Sequence, residues 1–247
     1  IDLMLGRMCA GELWVLAARP GNGKTSLALQ IARANAEKRR RVLICSLEMT
    51  TDELAARAIC GDVGLDSRKL RTDSVEPREL QDLEAAALGL NDLPLDIWSP
   101  PSADSAGIRA TSLVSAARGD LALVVVDYLS RMTSTERQVW ERIAQQSGAL
   151  KSLAREIGVP VLVLSQFNRE AEDETPTMSM LRYGGSIEQD ADAVLALHPS
   201  ADIPEDFELL VLKNRHGATG SIRLNFDRLG TRFEEGPVKY TAFSDFN

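Results

Sequence analysis

Leu13-Trp14-Val15-Leu16-Ala17 leads directly into Ala18-Arg19-Pro20-Gly21-Asn22-Gly23-Lys24-Thr25, and Ser26 opens a pattern of helical spacing that continues to Lys38. An apolar strand, a glycine-bearing loop and a helix, in that order, make a cradle for nucleotide phosphates. The loop's N–H groups wrap the phosphates, Lys24 reaches the β and γ oxygens, and the Thr25 hydroxyl is placed to hold Mg²⁺ where the helix begins. Arg19, Pro20, Gly21, Asn22, Gly23, Lys24, Thr25 and Ser26 are therefore the expected nucleotide-binding residues. The general pattern has Gly where Ala18 stands, and its other determinants are present.

Further short apolar runs follow at Val42 to Leu47, Leu121 to Val126, Val159 to Leu164, Ala193 to Leu197 and Leu209 to Leu212. Helical patterns separate the earlier ones, at Thr51 to Cys60, Pro77 to Leu88, Ser105 to Arg118 and Glu136 to Glu156. Near-continuous Val/Ile/Leu strands alternating with helices predict an α/β fold with a largely parallel central sheet, whose sites form at the strands' carboxyl ends. Thr51 with Leu54 reads as a capped helix start. Leu209 to Asp227 reads as a C-terminal β-hairpin whose turn presents Lys213 and Arg215.

At 247 residues, with no Pro/Gly/Ser-rich linker, the chain reads as one domain spanning 1–247, with an entry segment at 1–12 and a weakly patterned tail at 236–247. Lys and Arg total 28 against 36 Asp and Glu, a net −8, so any nucleic-acid contact must be local. The three cysteines, Cys9, Cys45 and Cys60, have no metal-ligand spacing and suit free thiols in a reducing cytosol. His198 and His216 complete no zinc pattern. No run approaches the roughly 18 apolar residues of a membrane span, and no signal peptide opens the chain, so a cytoplasmic protein with no membrane partner is expected. Its start on Ile1 rather than Met fits two expectations, an excised piece of something longer or a naturally short relative.

Three polar residues end apolar strands. Asp127 closes Leu121 to Val126, where a carboxylate holds Mg²⁺ directly or through water. Glu48 follows Val42 to Leu47 and is the candidate general base for an attacking water; its alternative is a charge at the N-terminus of the Thr51 helix. Gln166 follows Val159 to Ser165 and is placed to sense a γ-phosphate, or is an ordinary polar strand end.

Six ordered stretches carry a family resemblance: the Ala18 to Thr25 loop, Ser46-Leu47-Glu48-Met49, Asp127-Tyr128-Leu129, Ser165-Gln166-Phe167-Asn168-Arg169, Ile187-Glu188-Gln189-Asp190-Ala191-Asp192, and Lys213-Asn214-Arg215-His216-Gly217-Ala218-Thr219-Gly220. Together they resemble the DnaB replicative helicases over about Leu3 to Phe233. The resemblance implies a RecA-like P-loop ATPase that forms a hexameric ring, encircles single-stranded DNA, and uses ATP and Mg²⁺ to translocate and unwind duplex. It also implies that Lys213 and Arg215 reach the γ-phosphate of a neighbouring subunit, making Glu48, Lys24, Gln166, Lys213 and Arg215 the catalytic set and Thr25 with Asp127 the metal ligands. By the same resemblance Arg169, Arg182, Tyr183, Gly184 and Gly185 contact DNA from loops facing the channel. The family's usual Arg-Glu-Ser-Gly is here Arg182-Tyr183-Gly184-Gly185, and the acidic Glu170-Ala171-Glu172-Asp173-Glu174 is expected outside the channel. Primase or a helicase loader would engage through segments not found in this stretch. Two other readings share parts of the pattern. One is a RecA/RadA-like recombination ATPase, against which Glu188-Gln189-Asp190 and Lys213-Asn214-Arg215 speak. The other is a nucleotide-dependent assembly or loading module with little turnover, against which Glu48 and Asp127 speak.

Overall fold

The computed structural model describes residues 6–134, 136, 138–167, 175–181, 184–200, 203, 205–236 and 241–242. Strand β1 (Leu13–Ala18) lies mid-sheet, paired in parallel with β5 (Val161–Gln166) on one side and β6 (Ala193–Pro199) on the other. Beyond β5 the sheet continues in parallel through β4 (Leu121–Asp127), β2 (Arg41–Ser46) and β3 (Leu95–Trp98). Beyond β6 it turns antiparallel through β7 (Asp206–Asn214) and β8 (Gly220–Asp227), with β9 (Arg232–Glu235) and β10 (Thr241–Ala242) both pairing β8. The parallel sheet and the C-terminal hairpin are as the apolar runs predict. Strand β3 is an addition: Leu95-Asp96-Ile97-Trp98 is short and only half-buried at the sheet edge, too little apolar signal to read.

Because strand side chains alternate between faces, β1 feeds two cores. Trp14, Leu16 and Ala18 pack with Leu27, Ala28 and Ala32 of α1 (Lys24–Ala36) and Leu54 of α2 (Thr51–Val63). Leu13, Val15 and Ala17 face the other way, onto Ile108 of α5 (Ser105–Ala117), Ile143, Leu150 and Leu153 of α6 (Val139–Ile157) and Ile187 of α7 (Gly184–Asp190). A smaller cluster, Cys60, Leu65 and Leu83, joins α2 to α4 (Pro77–Asn91), with the short α3 (Arg68–Arg71) between them in the chain.

Two local expectations are corrected. The cap of α2 is Thr50, not Thr51: its hydroxyl accepts from Glu53 N while the Glu53 carboxylate accepts from Thr50 N, a reciprocal capping box. Gly184 and Gly185, expected in a loop, form the first turn of α7. Burial of Ile187 and Ala191 fixes that segment as helix despite the low helix propensity of glycine. No helix among the described residues is long and apolar enough to cross a membrane.

Candidate functional site

The turn from β1 to α1 is set by two glycines in the left-handed region, Gly21 (φ 82°) and Gly23 (φ 77°), the latter capping α1. Asn22 N–H donates to Arg19 O at 3.2 Å, closing the loop on itself. The first turn of α1 carries no acidic side chain, so its unpaired N–H groups and the positive end of its dipole are left for an anion. Phe233 and Phe226, stacked with centroids 4.5 Å apart, press against Gly23 from below.

Lys24 is buried beside the still more deeply buried Asp127, its Nζ 3.7 Å from one carboxylate oxygen and 4.6 Å from the centre of the Tyr128 ring. Burial pulls the Lys24 ammonium below its ordinary range, opposed by the charges of Asp127 and Glu48. Thr25 Oγ1 donates to the other Asp127 oxygen at 2.8 Å. The oxygen facing Lys24 is enclosed and has no hydrogen-bond partner. The Thr25 hydroxyl and the Asp127 carboxylate are oxygen donors of the kind Mg²⁺ takes alongside waters and phosphate oxygens.

Glu48 lies two residues past β2 on a turn fixed by Ser46, whose Oγ donates to Met49 O and accepts from Met49 N. Leu47 N–H donates to Asp127 O at 2.6 Å, tying this turn to the end of β4. Gln166 ends β5 in register with Ala18, at the root of the phosphate loop. Arg19, Pro20, Gly21, Gly23, Lys24, Thr25, Ser26, Glu48 and Gln166 thus line one cavity of about 620 Å³, and Asp127 adjoins it through its contacts with Lys24 and Thr25. That volume is in the range of a small-molecule site, and one buried nitrogen of the Arg19 guanidinium is unpartnered.

The cavity also holds residues the sequence did not announce. Glu53 and Arg57 reach it from α2, Arg68 and Arg71 from α3, and Phe226, Arg228 and Thr231 from the end of β8 and the turn after it. Arg71 pairs with Glu53 at 3.0 Å and Arg68 with Asp66 at 2.6 Å. The one local hint was the helical spacing of Glu53 and Arg57.

Lys213 and Arg215 are elsewhere. Lys213 is within β7 rather than its turn, opposite Val194, and Arg215 follows Asn214, which pairs with Ala193 at the start of β6. Since β6 is parallel to β1, both cations lie at the amino edge of the sheet. The phosphate loop is at the carboxyl edge, roughly 20 Å away by the rise of six strand residues. Lys213 Nζ donates to Glu188 O, and Arg215 donates to Gln189 O and to the Asp192 carboxylate. Arg169, Arg182 and Tyr183 lie outside the described residues, as does the acidic 170–174 run.

Residues 1–235 match the family described as the DnaB-like helicase C terminal domain. This chain belongs to that family. Among curated relatives, the replicative DNA helicase DnaB of Leifsonia xyli subsp. xyli (strain CTCB07) is 36% identical over 95% of this chain and 54% of its own length. The corresponding helicase of Geobacillus stearothermophilus is 34% identical over 96% of this chain and 57% of its own. The chain therefore spans little more than half the length of these DnaB relatives. A solved ATPase domain superposes with a TM-score of 0.89 at 26% identity, covering 96% of this chain and 88% of that one. A DnaB-like replicative helicase solved for its interactions with primase gives 0.87 at 26% identity, covering 94% and 59%. Membership of the DnaB-like family leaves the recombinase and loading-module readings without support.

Proposed function

We propose that this chain is the motor domain of a replicative DNA helicase, hydrolysing ATP with Mg²⁺ at sites shared between subunits of a hexameric ring to move along single-stranded DNA and open duplex. The observation that carries the reading is the separation of charge. One chain gathers the phosphate loop, Glu48 and Gln166 around a single cavity, with Asp127 held against Lys24 and Thr25, yet keeps Lys213 and Arg215 at the opposite edge of its own sheet. They are too far to serve their own cavity, and a neighbouring chain brings a second copy of them.

In this reading the α1 N-terminus and loop amides bind the phosphates, and Lys24 neutralises their outer oxygens. Thr25 and Asp127 would hold Mg²⁺, which when bound offsets charge on the β and γ phosphates. Glu48, exposed on its Ser46-stapled turn, orients a water and accepts its proton. Gln166 contacts the γ-phosphate in one nucleotide state only. Lys213 and Arg215 of the neighbouring subunit stabilise charge developing on the transferred phosphoryl group. DNA contact is assigned to Arg169, Arg182, Tyr183, Gly184 and Gly185, and primase or loader contacts to segments outside this stretch.

The test is turnover and strand separation together. Assembled chain should hydrolyse ATP faster with single-stranded DNA and separate a forked duplex, and Arg215→Ala should abolish both while leaving nucleotide binding intact. Turnover indifferent to DNA, with no strand separation by the assembled ring, would rule the helicase reading out.

A further inference from the structure

Asp192 sits between α7 and β6, 5% exposed, and both oxygens of its carboxylate accept hydrogen bonds. One oxygen accepts from Leu13 N at 2.7 Å and from Lys151 Nζ at 2.6 Å; the other accepts from Arg215 Nη1 at 3.3 Å. The backbone joins in: Arg215 N–H donates to Asp192 O at 2.8 Å, and Asp192 N–H donates to Leu13 O at 2.8 Å. Arg215 Nη2 meets Gln189 O and Lys213 Nζ meets Glu188 O, so both cations dock on carbonyls at the C-terminal end of α7, where positive charge is favoured. Lys151 also donates to Gly11 O at 2.8 Å, anchoring the cluster to α6 and to the segment entering β1.

If Asp192 served only to bury a charge pair, Lys151 would suffice. It instead grips Arg215 twice, through side chain and backbone, while 41% of the Arg215 side chain stays exposed. A guanidinium has five N–H donors; Asp192 takes one of them and Gln189 O takes another. With the side chain held at two points and 41% exposed, its remaining donors can meet a ligand without the entropy cost of first ordering a free chain.

We infer that Asp192 is a positioning residue for catalysis in trans, holding the Arg215 guanidinium in the orientation in which it meets the neighbouring subunit's phosphate cavity. The inference rests on the proposed trans role of Arg215. Lys151 keeps the Asp192 carboxylate ionised and in place, and the bond to Leu13 ties the finger to the strand whose far end is that chain's own phosphate loop.

The experiment uses three variants of the full chain, Asp192→Asn, Arg215→Ala and Glu48→Gln, each assembled alone and in equal mixtures, with mixed oligomers verified by native mass spectrometry. Asp192→Asn alone should lower kcat by about 10–100-fold while KM for ATP moves little, the mark of an interaction lost in the transition state. Mixed with Glu48→Gln it should recover turnover above either parent, because an intact cavity then faces an intact finger at some interfaces. If Arg215→Ala complements Glu48→Gln but Asp192→Asn does not, the positioning role is overturned and the trans role of Arg215 survives. If neither complements in verified mixed rings, the trans reading falls and the inference falls with it. Should Asp192→Asn fail to fold, Asp192→Glu keeps the charge but moves the carboxylate by one methylene, and the same mixtures decide.

Discussion

Replacing Gly23 by alanine tests how the phosphate loop is supported. A Cβ there would lie 2.7 Å from Phe233 Cζ and 2.9 Å from Cε2, with Phe226 Cε2 at 3.4 Å. Phe233 cannot swing aside, since it is 3% exposed, stacked on Phe226 and edge-on to Phe207 at 5.4 Å. Two costs therefore combine: about 1–2 kcal/mol for a non-glycine residue at φ 77° and about 1–3 kcal/mol for overpacking. Gly21→Ala supplies the control, because Gly21 has φ 82° but nothing within 4 Å of the added Cβ, so only the backbone cost applies. The two variants should differ by about 2 kcal/mol, or roughly 6 °C in Tm for a chain of this size. Urea and thermal unfolding of the nucleotide-free chain read this directly. A second arm combines Gly23→Ala with Phe233→Leu, where smaller volume should return about 1 kcal/mol as a coupling energy. Equal destabilisation by Gly21→Ala and Gly23→Ala, with no coupling to position 233, would refute the claim that the aromatic pair supports the loop.

Glu48→Gln should lower ATP turnover by about 10²–10⁴-fold while nucleotide affinity measured by calorimetry is unchanged; retained turnover would remove Glu48 from the chemistry. Thiol labelling should find one fast group in the native chain, the exposed Cys9, since Cys45 is fully buried with its thiol pushed up to about 12 and Cys60 is 1% exposed. Rapid modification of Cys45 in folded protein would contradict the two-sided core. Burial raises the Asp192 carboxyl, but the Lys151 and Leu13 hydrogen bonds and the charges of Lys151 and Arg215 outweigh it and hold it below its ordinary 3.8. Its stabilisation is thus complete above that value and lost as pH falls through the depressed folded value, so the stability gap between wild type and Asp192→Asn should be constant near neutrality and close in acid. A gap that widens in acid would contradict the assignment.

The phosphate loop was legible because its elements are contiguous: Leu13 to Lys38 carries strand, turn and helix in sequence order, and Asp127, Glu48 and Gln166 each follow an apolar run. What pairs over distance was not. Phe226 and Phe233 meet Gly23 across some two hundred residues of chain, and Asp192 meets Leu13 from 179 residues away, contacts that no local periodicity encodes. The hairpin was read from its turn residues, but its strand reaches Asn214, so Lys213 joins β7 and the cations that seemed displayed by a turn are docked on α7. Arg57, Arg68 and Arg71 carry no motif in the sequence, and only the folding of α2 and α3 over the cavity brings them to it.

The most direct measurement is ATP turnover per chain as a function of protein concentration, with oligomeric mass followed in parallel. The account predicts turnover that rises as chains assemble, because each cavity lacks the cations held at the far edge of its own sheet. Full turnover by a dilute monomer would contradict it.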